Sequence, residues 1–211
     1  MAQILFFGAS SVQGVGDSEG GWVERLKREL HQVMYGTEGT GEKHAIFNLG
    51  IAGNTAEMVL RRFKQETESR VRTGQEIIFV FAVGTNDSKA TDSRDNQLFT
   101  VEQFQQNLVT LLDEAKTYSD KLILVGITPT DDAKTQPKGS SYFSQQRVKA
   151  FDQAATAASQ SHTVPKVEIF DDFLAQDWKS LLYEDGLHPN AKGHALIAQK
   201  VQPYLWKMLG L

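Results

Sequence analysis

The chain contains no cysteine, which removes disulfides, thiolate metal sites and cysteine nucleophiles together. It has no apolar run long enough to span a bilayer, so stable membrane insertion is not expected. Neither charge sign dominates: 22 Lys and Arg face 26 Asp and Glu, and no long block of one sign occurs. A nucleic acid or an anionic membrane is therefore not the expected partner. Repeats and low-complexity tracts are missing, and no glycine-rich loop ends in Gly-Lys-Ser or Gly-Lys-Thr to cradle a phosphate. Gly14-Val15-Gly16 lacks the third glycine of a dinucleotide fingerprint and lies well past its strand. His31, His44, His162 and His194 are scattered without ligand spacing, so neither a metal nor a cofactor is expected. Ahead of the first apolar run there is no basic segment, long apolar core or cleavage site, which makes a cytoplasmic location the expectation. The length of 211 residues suits a single domain, 1–211, with a real core.

What is present begins with Ile4-Leu5-Phe6-Phe7-Gly8-Ala9-Ser10-Ser11, an apolar strand that runs straight into a small-residue turn. Four consecutive apolar residues read as a strand buried on both faces. Further strands are expected at 45–50, 77–83, 121–127 and, shorter, 167–171, the clearest being Ile77–Val83 for its β-branched and aromatic content. Helical spacing of apolar residues predicts helices over 22–30, from Thr55 to about 72, over 101–118, over 145–161 and over 191–209, the last capped by Asn190. The polar stretch 88–96 reads as a loop. The segment 128–144, with two prolines, a glycine and several charges, reads as a long excursion at the carboxyl edge of the sheet. Strand and helix alternate throughout, which argues an α/β fold with a parallel sheet covered on both faces.

Ligands bind outside the carboxyl ends of such a sheet, and four segments that leave it there carry groups useful for acyl transfer. Ser10 offers a hydroxyl nucleophile and a backbone N–H, although a serine in this place also reads as a helix cap. Gly53 lets a substrate oxygen approach its N–H closely, or is simply a turn glycine. Asn86 can donate to the same oxygen, or close an Asx turn. His188 has the chemistry of a general base and acid, with Asp185 three residues earlier to hold its ring; His188-Pro189-Asn190 also reads as an ordinary helix entry. The pairs Asp131-Asp132 and Asp171-Asp172 read as solvated or helix-start charges. Trp178, Tyr183, Tyr142 and Phe143 fall in segments that border the carboxyl edge or pack against the core.

Taken in order, these blocks resemble the GDSL or SGNH hydrolases. Gly8-Ala9-Ser10-Ser11, Asn48-Leu49-Gly50-Ile51-Ala52-Gly53-Asn54-Thr55, Gly84-Thr85-Asn86-Asp87 and Asp185-Gly186-Leu187-His188-Pro189-Asn190 look like that family's four blocks and span nearly the whole chain. The resemblance implies a three-layer α/β/α sandwich with a flavodoxin-like parallel five-stranded sheet, and a metal-free serine mechanism acting on a small-molecule ester or thioester. It implies Ser10 as nucleophile, His188 as base and Asp185 as its orienting acid, with an oxyanion hole made by Ser10, Gly53 and Asn86. Ala9 stands where the family usually has Asp, and Ser11 where Leu is common. A carbohydrate O-deacetylase on the same machinery is a second reading. A non-catalytic binding module with a decayed site is a third, and a flavin-binding protein on the same fold a weaker fourth.

A competitor sits eight residues on. Gly16-Asp17-Ser18-Glu19-Gly20 spells a G-x-S-x-G elbow, but that elbow needs a strand immediately before the serine. Ser18 follows a glycine-rich loop, so Ser10 is the expected nucleophile.

Overall fold

The computed structural model describes all of residues 1–211. Five strands form the main sheet: β1 (Ala2–Gly8), β2 (Ala45–Gly50), β3 (Glu76–Ala82), β5 (Leu122–Val125) and β7 (Lys166–Val167). Their order is β2-β1-β3-β5-β7 and every pairing is parallel. This is the flavodoxin-like arrangement, whose order reverses between β1 and β3; a crevice opens at that point, outside the carboxyl ends.

Side chains alternate across the sheet as the pleat requires. Leu5 and Phe7 of β1, Phe79 and Phe81 of β3, and Leu122 and Leu124 of β5 enter one core. That core is closed by α3 (Ala56–Glu68), α4 (Val101–Lys116) and α6 (Gln145–Ser161). Ile4 and Phe6, Ile78 and Val80, and Ile123 and Val125 enter the other, under α2 (Gly21–Tyr35) and α8 (Ala191–Leu209). Burial on both faces explains why these strands read as unbroken apolar runs. Phe7, Phe63, Phe79 and Phe81 pack ring against ring below the β1 exit, with centroids 5.1 to 6.4 Å apart.

The expected helices over 145–161 and 191–209 form with those bounds; the second is capped by the Asn190 side chain, which accepts from the Lys192 and Gly193 amides. Elsewhere the boundaries shift. The helix expected over 22–30 runs on to Tyr35, and the one expected to reach 72 stops at Glu68. The expected strand at 167–171 is corrected most. Only Lys166–Val167 pairs with β5, and Phe170–Leu174 forms a short helix, α7. There Phe170 and Phe173, three apart, reach opposite cores, while Asp171 and Asp172 sit in its first turn, where acidic charge is favoured.

Four short elements complete the carboxyl edge. A four-residue helix, α1 (Ser10–Gln13), follows β1 directly. The stretch expected as a loop contains β4 (Ala90–Thr91), which pairs antiparallel with β6 (Ser141–Tyr142) in the 128–144 excursion. A one-turn helix, α5 (Asp132–Thr135), begins that excursion, capped by Asp131. No helix is long and apolar enough to cross a membrane.

Candidate active site

β1 delivers Ser10 to the crevice as the first residue of α1, where its N–H has no partner four residues back. Ala9 precedes it at the cap position and makes no side-chain bond. The turn is instead held through backbone and neighbouring groups. Gln13 N–H donates to Ala9 O at 3.0 Å, Gly14 N–H to Ser10 O at 3.0 Å and Ile51 N–H to Gly8 O at 3.1 Å.

His188 and Asp185 arrive on the turn just before α8. The Ser10 hydroxyl lies 2.9 Å from His188 Nε2, and His188 Nδ1 lies 2.6 Å from Asp185 Oδ2. Burial alone would push the Asp185 carboxyl up; bonds from the His188 ring and from the His188 and Leu187 amides outweigh it and hold the group well below the usual carboxylate range. An ionised Asp185 can only accept, so Nδ1 carries the proton and Nε2 is left to accept from the serine hydroxyl. That is the geometry in which an imidazole relieves a hydroxyl of its proton. Lys138 of the excursion also forms an ion pair with Asp185 Oδ2, at 3.2 Å.

Asn86 leaves the end of β3 and lines the same cavity as Ser10 and His188. It donates one amide hydrogen to Asn54 O at 3.0 Å, leaving the other free. Gly84 turns the chain there with φ +125°, and a Cβ on it would come within 2.3 Å of Ile127; only glycine fits. Gly53 lies at the third corner of a turn closed by Asn54 N–H to Ile51 O, at φ +82°, as a type II turn requires. Its N–H donates to no group of the chain. Ser10, Asp185 and His188 thus meet in one bonded chain. Asn86 joins them at the cavity, and Gly53 is tied to Asn86 through its neighbour Asn54.

Several residues that sequence reasoning passed over hold these groups in place. The Arg62 guanidinium of α3 donates to Leu49 O at 2.6 Å, Gly8 O at 3.2 Å and Asn54 Oδ1 at 2.9 Å, with its carbon 5.5 Å from the Phe7 ring centroid. One side chain so ties the exits of β1 and β2 to the Gly53 loop. Gln13 accepts from Ala52 N–H at 3.0 Å and supports that loop from the other side. Asp87, fully buried, accepts from Ala56 N–H at 2.9 Å, while its second oxygen has no partner. Desolvation, opposed only in part by backbone N–H bonds, pushes its pKa up to about 7. Because these partners are mostly backbone groups, no side-chain pattern announces them.

The other expected bystanders do structural work. His194 accepts from Trp22 N–H at 3.2 Å through Nδ1, so its Nε2–H donates to Val15 O at 3.0 Å. Burial lowers its pKa and keeps it neutral. Ser18 is exposed on the glycine-rich loop, where Asp17 is taken by Arg25 through Nε and Nη2 at 3.0 and 2.9 Å. Trp178, Tyr183, Tyr142 and Phe143 stay outside the lining of the Ser10 cavity. No three His, Asp or Glu side chains converge as a metal-binding group.

The chain is similar to known proteins along most of its length. Residues 6–196 match the GDSL-like lipase/acylhydrolase family. GDSL esterase/lipase CPRD49 of Arabidopsis thaliana is 25% identical over 94% of this chain and 77% of its own length. Among solved structures, a lipase/acylhydrolase from Enterococcus faecalis superposes with a TM-score of 0.79 at 24% identity, covering 99% of this chain and 97% of that one. The acetylxylan esterase Axe2 from Geobacillus stearothermophilus superposes with a TM-score of 0.70 at 17% identity, covering 99% and 94%. With the matched span running from β1 into α8, the chain belongs to the GDSL-like lipase/acylhydrolase family and is a carboxylic ester hydrolase.

Proposed function

We propose that the protein is a serine esterase that hydrolyses esters or thioesters of small to medium acyl groups through an acyl-enzyme. The observation that carries this reading is the unbroken chain from the Ser10 hydroxyl through His188 to Asp185. In the first step the Ser10 oxygen attacks the carbonyl while His188 Nε2 takes its proton, and Asp185 stabilises the imidazolium. The oxyanion is held by the Ser10 and Gly53 N–H groups and the free Asn86 amide hydrogen. His188 then protonates the departing alcohol or thiol, and water repeats the sequence to free the acid and restore Ser10.

Support for shorter acyl groups comes from Trp22, Val125 and Ile197, which line the cavity with residues no more than 3% exposed. A second reading, removal of acetyl groups from a carbohydrate, is favoured by the likeness to Axe2. A binding module with a decayed site fits less well, since a decayed site has no reason to keep the hydroxyl on the ring nitrogen.

The test is fluorophosphonate labelling of Ser10 together with a panel of acetyl, butyryl and longer esters, acyl-thioesters and acetylated sugars. Wild type and Ser18→Ala should label and turn over, and Ser10→Ala should do neither. Retained activity in Ser10→Ala, with loss in Ser18→Ala, would transfer the nucleophile to Ser18.

A further inference from the structure

The excursion between β5 and α6 is moored to the turn that bears His188. Asp131 N–H donates to Gly186 O at 2.8 Å, Lys179 pairs with Asp131 at 3.1 Å, and the Lys134 stem packs against Gly186. Beyond α5 the chain forms a tight hairpin. Lys138 N–H donates to Ser141 O at 2.7 Å, Ser141 N–H returns to Lys138 O at 3.1 Å, and Gly139 turns the corner at φ +61°. Pairing of β6 with β4, and the bond from Asp92 N–H to Ser140 O at 2.7 Å, fix that hairpin from its far side. Its first residue thereby holds its ammonium on Asp185 Oδ2, the same oxygen that accepts from His188 Nδ1. The two bond lengths end to end put the cation no farther than 5.8 Å from the ring nitrogen.

We propose that Lys138 is a positioning residue of this site: its ammonium offsets the hold of Asp185 on the imidazolium proton, and so extends the pH range of hydrolysis toward acid. The inference rests on the serine-esterase reading and adds a regulator to it. A cation beside the carboxylate disfavours a second positive charge on the ring, so His188 stays free to accept the Ser10 proton at lower pH.

The other charges around the turn do not compete for this part. Tyr183 and Glu184 precede Asp185 on its own segment, and both are exposed. His194 of α8 is neutral and bonded to backbone, with the Asp17–Arg25 pair behind it. Asp131 is matched by Lys179. Besides the His188 ring, Lys138 is the cation that reaches Asp185.

The test compares wild type with Lys138→Met, Lys138→Arg and Lys138→Glu. A unit charge about 6 Å away, with the dielectric of water appropriate to a partly exposed lysine, is worth about half a pH unit. The acid limb of kcat/KM should therefore move up by about that much in Lys138→Met, a roughly threefold loss on the acid flank, with the alkaline plateau kept. Lys138→Glu should move it further, Lys138→Arg should leave it near wild type, and molar salt should carry the wild-type limb toward that of Lys138→Met. The titration midpoint of the His188 ring, followed by NMR, should shift in the same order without any substrate present. A limb and a ring midpoint that stay put in Lys138→Met overturn the proposal, as does an equal loss at every pH, which marks a merely structural hairpin anchor. If Ser10 neither labels nor turns over ester, the esterase reading fails, and the ring titration alone still decides the part played by Lys138.

Discussion

Replacing Asp87 by Asn tests how the second and third sequence blocks are joined. The buried carboxyl caps the first amide of α3 through one oxygen and leaves the other without a partner. Its pKa is about 7 in the folded protein against a reference of 3.8. Since the folded value lies above the unfolded one, the folded state holds the extra proton. The stabilisation this brings is complete below about pH 4 and is lost as pH rises toward 7. A gap of roughly three units corresponds to about 4 kcal/mol across that window. Asparagine keeps the Ala56 N–H bond but cannot ionise, so the variant escapes the loss. Urea unfolding at pH 4, 5, 6, 7 and 8, with the slope m held common, reads the difference directly. Carboxyls held low in the fold, such as Asp17 and Asp185, contribute opposite slopes to both proteins and cancel. The stability of Asp87→Asn relative to wild type should rise with pH by something on the order of 4 kcal/mol between pH 4 and 8. A difference independent of pH would refute the argument, because Asp87 would then ionise in the fold as it does in the open chain.

Two further outcomes follow from the site. Asn86→Ala removes the side-chain donor proposed for the oxyanion and should lower kcat on the order of a hundredfold or more, with KM little changed, as steady-state ester hydrolysis would read. Arg62→Met takes the guanidinium away from the Leu49 carbonyl and the Asn54 side chain and leaves Gly8 O with the Ile51 N–H alone; it should cost about 2 to 3 kcal/mol in chemical unfolding and lower activity as well, and Arg62→Lys, lacking the fork, should restore little of either.

The parts of the fold that could be read from the chain are those where local chemistry and tertiary context agree. Ile77–Val83 is β-branched and aromatic, and it lies between two helical layers, so composition and burial say the same thing. Asn190 caps α8 with its own side chain, and that boundary was legible to the residue. Ile169-Phe170 was not: an apolar pair at the sheet edge satisfies a strand or a helical turn equally, and the choice fell to the core contacts of Phe170 and Phe173. The same division runs through the site. Ser10, Asp185 and His188 could be singled out because a hydroxyl, a carboxylate and an imidazole are the groups acyl transfer uses and because they stand in blocks that resemble those of a known family. Arg62, Gln13 and Lys138 could not, since their meaning lies in which carbonyl, amide or carboxylate the fold brings to them. His194, dismissed for want of a partner pattern, has partners that are both main-chain groups.

The bond between Ser10 and His188 closes across 178 positions of sequence. No segment folded by itself can make it: a growing chain displays the serine with its first strand, but the ring arrives only with the last helix. The seating of α8 against α2, with His194 bonded to Trp22 and Val15, is what would bring the ring to Ser10. In the serine-esterase reading, reactivity is thus a property of the whole chain, and it depends on the carboxyl-terminal helix keeping its seat against the first half of the molecule.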